Sequence, residues 1–205
     1  MTSRRIQTCV CSFLVAQLIV STVALATNDD YDKVNGSIQV DAGRNVGSVS
    51  TVNGSISIGD GASVAKAETV NGGITLGTRA KAASVSTVNG RITLGREADV
   101  SGALGNVNGD IQLDGAHVAG GIRTISGSID IGANSRIEGG ILVEKSSGWS
   151  LWKGKPPRVV IGPGAVVQGT LKFEREVELY VSDRATIGPV AGAAPIRFAG
   201  AKAPK

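Results

Sequence analysis

Val34-Asn35-Gly36-Ser37-Ile38 is the first of a series of near-identical sequence repeats in this chain. The tripeptide Val-Asn-Gly returns with its valine at positions 52, 70, 88 and 107, and then degenerates to Ile125-Ser126-Gly127. The period is 18 residues and is stretched once to 19. Internal repetition at a fixed short period is typical of a solenoid, in which each repeat packs only on its neighbours. The repeat therefore predicts an architecture before any other feature is considered.

A shorter period lies inside each unit. Every sixth residue from Val34 to Val100 is apolar, and after one added residue the count resumes at Val107 and runs to Val143. Three six-residue segments make one coil. Neither the helix period of about 3.6 residues nor simple strand alternation produces a six-residue spacing. We predict an all-β protein, a single-stranded parallel β-helix (β-solenoid) with about 18 residues per triangular coil. The period fits either hand, and we expect the right-handed form.

Composition favours the same fold. Aromatic residues make up 3% of the 205 residues, and 29 residues are glycine. The core is therefore expected to consist of small and β-branched aliphatic side chains on a backbone that turns often.

The repeated asparagines and glycines are expected to build one corner of the tube. Glycine tolerates a left-handed or otherwise tight bend, and amides stacked one coil apart can hydrogen-bond one another. In this interpretation Val points inward, Asn stacks on Asn, and Gly turns the chain. Because the set is periodic, we interpret it as structural and not catalytic. It comprises the ladder asparagines Asn35, Asn53, Asn71, Asn89 and Asn108, and the corner glycines Gly36, Gly54, Gly72, Gly90, Gly109 and Gly127.

Residues 1–26 have the features of a cleavable signal peptide. Arg4 and Arg5 precede an uncharged apolar run from Cys9 to Val20, and Ala24-Leu25-Ala26 offers a small-x-small cleavage pattern. The alternative is a retained anchor, but the run is shorter than the roughly 20 apolar residues of a spanning helix. Cleavage would leave no cysteine and no integral membrane segment. It would also lower the number of Lys and Arg from 21 to 19 against 17 acids, so the basic balance does not indicate nucleic-acid binding.

The mature chain is predicted to divide into a leader, a β-helix with one insertion, and a tail. Residues 27–33 form an acidic leader that caps the first coil, residues 34–190 the β-helix, and residues 191–205 a flexible basic tail. The insertion, residues 146–157, contains both tryptophans, Trp149 and Trp152, with Lys153 and Lys155 beside them. Insertions in solenoids often form the binding face. The loop is either a lid over one side of the coils or a contact with a ligand or membrane.

Two bacterial protein families have sequence repeats similar to those of this chain. The pattern Thr-Val-Asn-Gly-x-Ile-x-Ile/Leu resembles the repeats of adhesin β-helix domains. The stretches Ile131–Ile141 and Ile161–Leu171 resemble coils of bactofilins, polymer-forming scaffold proteins with a right-handed triangular β-helix. Together the resemblances cover about residues 34–190 and imply a structural or adhesive role with self-association. Bactofilins are cytoplasmic or membrane-associated, so the export signal favours the cell envelope over a cytoskeletal role.

Catalysis is the least favoured alternative. The sixth-residue pattern also resembles hexapeptide-repeat acyltransferases, which use a histidine as general base, and the single histidine here is His117. One polar residue on a solvated coil side is the commoner outcome. The acids, Asp110 and Asp130 among them, fall at differing places in the coil, and no spacing suits a metal site or a phosphate loop. We therefore expect no enzyme activity, no cofactor, no metal and no nucleic-acid partner.

The sequence thus favours an exported structural or adhesin-like β-helix protein of the bacterial cell envelope, located in the periplasm, on the cell surface or outside the cell. We expect it to associate end to end with itself, or with an envelope protein or glycan. The first alternative is a carbohydrate- or surface-binding module that uses Trp149 and Trp152. An acyltransferase of the hexapeptide-repeat type comes third.

Overall fold

The computed structural model describes residues 29–145 and 155–204. No described residue is helical, so this part of the chain holds no helix long and apolar enough to cross a membrane. All regular structure in these residues is β-strand, two to nine residues long. In chain order the strands are β1 (Tyr31–Asn35), β2 (Ile38–Val40), β3 (Asn45–Asn53), β4 (Ile56–Ile58), β5 (Ser63–Asn71), β6 (Ile74–Leu76), β7 (Lys81–Asn89), β8 (Ile92–Leu94), β9 (Asp99–Val100), β10 (Leu104–Asn108), β11 (Ile111–Leu113), β12 (His117–Val118), β13 (Ile122–Thr124), β14 (Ile129–Ile131), β15 (Arg136–Ile137), β16 (Ile141–Val143), β17 (Arg158–Ile161), β18 (Val166–Val167), β19 (Leu171–Phe173), β20 (Glu178–Ser182), β21 (Thr186–Ile187), β22 (Val190–Ala191) and β23 (Ile196–Phe198).

Three stacks of parallel strands form the sides of a tube. The 14-stranded sheet divides beyond β7 into two branches, because β3, β5 and β7 each run through two sides. Side I holds the first part of those long strands with β9, β12, β15, β18 and β21. Side II holds β1 and the second part of the long strands with β10, β13, β16, β19 and β22. Side III is the nine-stranded sheet β2-β4-β6-β8-β11-β14-β17-β20-β23.

The coils stack in the register that the repeat predicts. Ile56 lies beside Ile38 and Ile74 beside Ile56, each 18 residues on, and Ile111 lies 19 residues after Ile92. All five isoleucines are at most 3% exposed, because side III turns every second side chain into the tube. Burial of such side chains contributes about 25 cal/mol per Å² of apolar surface. The predicted β-solenoid is confirmed.

The tube extends further at both ends than the sequence predicts. The prediction of a flexible tail from residue 191 is wrong for β23, which pairs with β20 through Tyr180 and Ile196. Phe198 is 6% exposed, so one buried aromatic side chain and an available sheet edge outweigh an Ala- and Gly-rich composition. At the other end β1 includes part of the leader, where the Asp30 carboxylate accepts a hydrogen bond from the Ser48 amide at 2.6 Å.

The valines of the repeat point out of the tube, and the prediction that they point inward is wrong. The exposed fractions are 67, 41, 39 and 38% at Val34, Val52, Val70 and Val88. The sixth-residue count gives buried residues on side III and in the first coils of side I, as at Ile58 and Val46. On side I it fails at Ala119, because Val118 takes the buried place.

Side II departs from the sixth-residue count because its inward residue is the one before the valine that the count selects. In the side II part of β3 the buried residues are Val49 and Thr51, so the next residue, Val52, faces solvent. The inward threonine has a polar reason. Thr51 Oγ1 donates a hydrogen bond to the carbonyl oxygen of Gly36 in the previous coil at 3.2 Å.

This bond recurs along the tube. Thr69 donates to Gly54 O at 2.9 Å and Thr87 to Gly72 O at 3.0 Å. Asn106 takes the same place in the next coil and donates to Gly90 O at 3.2 Å. A buried carbonyl without a donor is costly, which explains the polar side chain at the inward position of these four coils.

Replacing Thr87 with Val should therefore destabilise the protein although the shape is kept. The carbonyl of Gly72 loses its donor, and we expect the free energy of unfolding to fall by about 1–3 kcal/mol in denaturant titrations. Thr75→Val, the same change at an exposed outward position of β6, should stay within about 0.5 kcal/mol of the wild type. Equal effects of the two changes would contradict the inward placement of Thr87.

Candidate binding face

Side II carries a continuous column of outward-facing apolar side chains, which we call the valine stripe. The first four are exposed, and the last two, Val107 and Ile125, are half-buried. One member comes from each of six successive coils, and the register of β1, β3, β5, β7 and β10 places the first five one above another. At about 4.8 Å per coil the stripe is about 24 Å long. The stripe consists of Val34, Val52, Val70, Val88, Val107 and Ile125.

A polar column borders the stripe on one side. Its members precede the stripe residues by two positions and are Asp32, Ser50, Glu68, Ser86, Gly105 and Arg123. Within it Asp32 accepts a hydrogen bond from Ser50, and Glu68 accepts one from Ser86 at 3.0 Å. The stripe and this column form a shallow groove of about 680 Å³.

The asparagine ladder borders the stripe on the other side. Each side-chain amide donates to the carbonyl of the asparagine one coil before it, at 3.1 Å for Asn53 to Asn35, 3.0 Å for Asn71 to Asn53, 3.1 Å for Asn89 to Asn71 and 3.0 Å for Asn108 to Asn89. Hydrogen bonds in such a chain polarise one another. The ladder therefore fixes the corner that lies next to the stripe.

The corner glycines are required mainly by close approach between coils. Of the six, Gly36 and Gly109 have positive φ angles, 107° and 122°. At the remaining four a Cβ atom would collide with the carbonyl oxygen of the glycine one coil before. The expected bend in the left-handed region is therefore present at two positions, and backbone contact explains Gly54, Gly72, Gly90 and Gly127.

A cluster of charges closes the C-terminal end of the stripe. In the stripe's own column Ile125 is followed by Glu144 and then by Glu174. Arg123 donates to Glu144, and Lys172 Nζ donates to Glu174 Oε1 at 2.7 Å. The bond to Glu144 raises the pKa of Arg123, and the bond to Lys172 lowers the pKa of Glu174. These two ion pairs end the apolar surface.

His117 is held between two carboxylates on side I. Its Nδ1 lies 2.6 Å from Asp99 Oδ1, and its Nε2 lies 3.4 Å from Glu138 Oε1. Asp99 stacks directly on His117 because β9 pairs with β12. Sequence spacing alone does not reveal this trio, since Glu138 belongs to a later coil. Within the described ranges no group of three His, Cys, Asp or Glu residues has a geometry that suits a metal ion.

A second groove, of about 690 Å³, runs along side III beside the C-terminal residues 201–203. Asp110 and Asp130 both line it, because Asp130 pairs with Gln112, two residues after Asp110. The Asp110 carboxylate forms an ion pair with Arg91 at 3.2 Å. Burial raises the pKa of Asp130, and the charge of Arg158 partly opposes that shift.

Asp130→Asn should stabilise the protein at neutral pH and not in acid. Since the pKa of Asp130 is raised from 3.8, the folded state binds its proton more tightly than the unfolded chain does. Stability is therefore full below the ordinary pKa and falls as pH rises through the raised one. We expect a higher Tm for the variant at pH 7 and equal values near pH 3 in scanning calorimetry. Asp110→Asn, which loses the Arg91 ion pair, should show no such gain. A lower Tm of Asp130→Asn at pH 7 would contradict this.

The predicted binding loop lies mostly outside the described residues. Trp149, Trp152 and Lys153 belong to residues 146–154, so their role stays a prediction. Lys155 is exposed where the described chain resumes. The amide of Glu178 donates to the carbonyl of Pro157 at 3.0 Å, so the insertion returns to side III just before β17.

Comparisons of the chain with protein-family models, curated proteins and solved structures found no match. Function is therefore argued from the geometry of the valine stripe and from the sequence.

Proposed function

We propose that the chain is an exported structural, adhesin-like β-helix of the bacterial cell envelope, which acts by presenting the valine stripe on a rigid rod. The stripe is the observation that carries the proposal. Outward side chains add nothing to the core of the tube, and yet one outward position holds Val or Ile in six coils. Contiguous exposed apolar surface is typical of interaction sites.

The scaffold around the stripe supports a presenting role. Nine strands of side III at about 4.8 Å each give a rod about 40 Å long. The asparagine ladder and the inward Thr-to-Gly bonds fix the backbone on both sides of Val52, Val70 and Val88. A preorganised face loses little conformational entropy when it binds a partner.

Export is supported by the sequence of residues 1–26, which lie outside the described part of the chain. Arg4 and Arg5, the apolar run and Ala24-Leu25-Ala26 make up the signal-like pattern. Mature protein that begins at Thr27 would establish cleavage.

The ends of the rod favour association less than its side does. Lys33 and Arg197 occupy inward register positions in β1 and β23, beside Thr51 and Val181. Each cation is turned to a backbone carbonyl, Lys33 to Ser37 O at 3.2 Å and Arg197 to Ser182 O at 3.3 Å. Charges at inward positions of edge strands oppose the addition of further strands. End-to-end stacking stays a weaker prediction than contact through side II.

Cell fractionation tests the proposal with two matched variants. The stripe variant carries Val70→Asp with Val88→Asp, and the side III variant carries Ser57→Asp with Thr75→Asp at exposed positions of β4 and β6. We expect the wild type and the side III variant to remain in a salt-washed envelope fraction, and the stripe variant to be released at least ten-fold more.

Two results would overturn the proposal. Retention of the stripe variant at the wild-type level would show that side II is not the presented face. Recovery of the wild type in the cytoplasm with residues 1–26 still attached would remove export. The glycan-binding alternative has a separate test, in which joint replacement of Trp149 and Trp152 by Ala should abolish binding to envelope glycan.

A further inference from the structure

We infer that the valine stripe binds a second copy of this chain, side by side and antiparallel. The inference rests on the proposed function, because it names the partner of the same face. Three properties of side II carry it: the spacing of the stripe, the charges at its two ends, and the polar columns beside it.

The spacing of the stripe selects the class of partner. Its side chains recur about every 4.8 Å, and backbone pairing holds Val52, Val70 and Val88 to that repeat. A helix lying along the groove would present one turn per about 5.4 Å, and an extended strand one side chain per about 6.7 Å on a face. Either falls out of step within a few coils. A second copy of this β-helix matches the repeat at all six positions.

The charges select the antiparallel orientation. A two-fold axis midway between Val70 and Val88 would place Val34 opposite the partner's Ile125. In the polar column, the same axis would place the acid Asp32 opposite the partner's base Arg123. A two-fold arrangement of this kind forms both contacts twice, once on each side of the axis.

The alternative orientation lacks this match. A parallel pair would set like ends together and would place the polar column against the partner's asparagines. Arg123 would then have no acidic side chain of the partner opposite it. Opposite charges in register favour one orientation over the other.

The asparagine ladder suits the same arrangement. The axis places Asn71 opposite the partner's Asn89 and Asn53 opposite the partner's Asn108. Each amide already gives one N–H to the ladder and keeps a second N–H free for a contact across the interface. The apolar stripe is thereby enclosed by polar contacts on both sides.

The size of the face indicates a reversible dimer. The stripe is about 24 Å long, and together with its two polar columns it is about 13 Å wide. It buries on the order of 300 Å² on each copy, less than half the surface of a standard stable interface. We expect dissociation in the micromolar range.

Cross-linking tests the orientation. Both cysteines of the chain, Cys9 and Cys11, lie before Thr27, so a chain that begins at Thr27 accepts single cysteines without background. We would mix Val34→Cys with Ile125→Cys and add a short bismaleimide. The antiparallel pair predicts a covalent dimer in the mixture and at least ten-fold less from Val34→Cys alone. Efficient cross-linking of Val34→Cys alone would overturn the inference. So would a mixture of Ser57→Cys, on side III, with Ile125→Cys that cross-links as efficiently as the mixture of Val34→Cys with Ile125→Cys.

Sedimentation tests the dimer itself. The wild type and the side III variant should shift from monomer to dimer with increasing concentration, and the stripe variant should remain a monomer at ten-fold higher concentration. Val88→Ser removes apolar surface without adding charge and should weaken the dimer at least three-fold, which covers the case in which the stripe variant does not fold. A wild type that is monomeric throughout overturns the dimer. Envelope retention in the fractionation test would still support the proposed function, so the two failures are distinguishable.

Discussion

Gly90→Ala is expected to cost at least about 3 kcal/mol of unfolding free energy, although it adds only one methyl group. The added Cβ would overlap the carbonyl oxygen of Gly72 in the previous coil. Backbone pairing fixes that oxygen on both sides, through Asn71 beside Asn89 and Ile74 beside Ile92. The corner cannot widen without breaking one of these pairs. Thermal and denaturant unfolding measure the loss.

Gly105→Ala is the matched control. Its Cβ would meet nothing closer than the carbonyl oxygen of Arg123 at 4.0 Å, and its φ lies outside the left-handed region. A glycine replaced where alanine fits gains about 0.4–1 kcal/mol from the unfolded state. Equal melting temperatures for Gly90→Ala and Gly105→Ala would show that glycine stacking does not determine the corner.

Ile92→Ala is expected to lose about 2–5 kcal/mol through the cavity it leaves. Ile92 is 0% exposed and lies between Ile74 and Ile111 in the middle of side III. Solenoid stability is transmitted between neighbouring coils, so a weak central coil also lowers the cooperativity of unfolding. Denaturant titration should show a lower midpoint and a broader transition.

Ile38→Ala in β2 supplies the comparison. Among the described strands β2 pairs with β4 alone, so Ile38 has Ile56 on one side and the end of the tube on the other. We expect about half the loss found for Ile92→Ala, because the end coil relaxes into the cavity more easily. An equal or larger loss at Ile38 would contradict the nearest-neighbour account of this tube.

Much of the fold can be read from the 18-residue period alone. The period predicts which residues stack, and the side III register of Ile38, Ile56 and Ile74 follows it. The insertion is also visible, because Ile129 pairs with Val159, one coil and twelve residues later. What the period does not give is the side of the strand on which each residue falls.

The inward and outward positions of side II show this limit. Burial of Thr51 and exposure of Val52 reverse the usual preference of these residue types, and the cause is the carbonyl of Gly36 one coil away. A signal was present in the sequence. The residue two before each of the three inward threonines is Val49, Ala67 or Val85. All three are apolar, and strand alternation from them leads to the threonine and not to the valine.

Contacts between charged side chains are harder to predict from the sequence than the strand register is. Asp99 and His117 are one period apart, so their stacking follows from the repeat. The contact with Glu138 depends on how side chains extend across side I. The groove that joins Asp110 and Asp130 depends in the same way on strand register, together with a C-terminal segment whose composition favours a free tail.

Thiol accessibility at two positions of β7 tests the central claim, that the repeat turns its valines outward, most directly. Val85 is 1% exposed and Val88 is 38% exposed, three residues apart on one strand. In a chain that begins at Thr27, Val88→Cys should react with a maleimide within about ten-fold of its rate in denaturant, and Val85→Cys at least about a hundred-fold more slowly, since reaction there requires local opening. Fast reaction at position 85 with protection at position 88 would contradict the outward stripe and the function proposed from it.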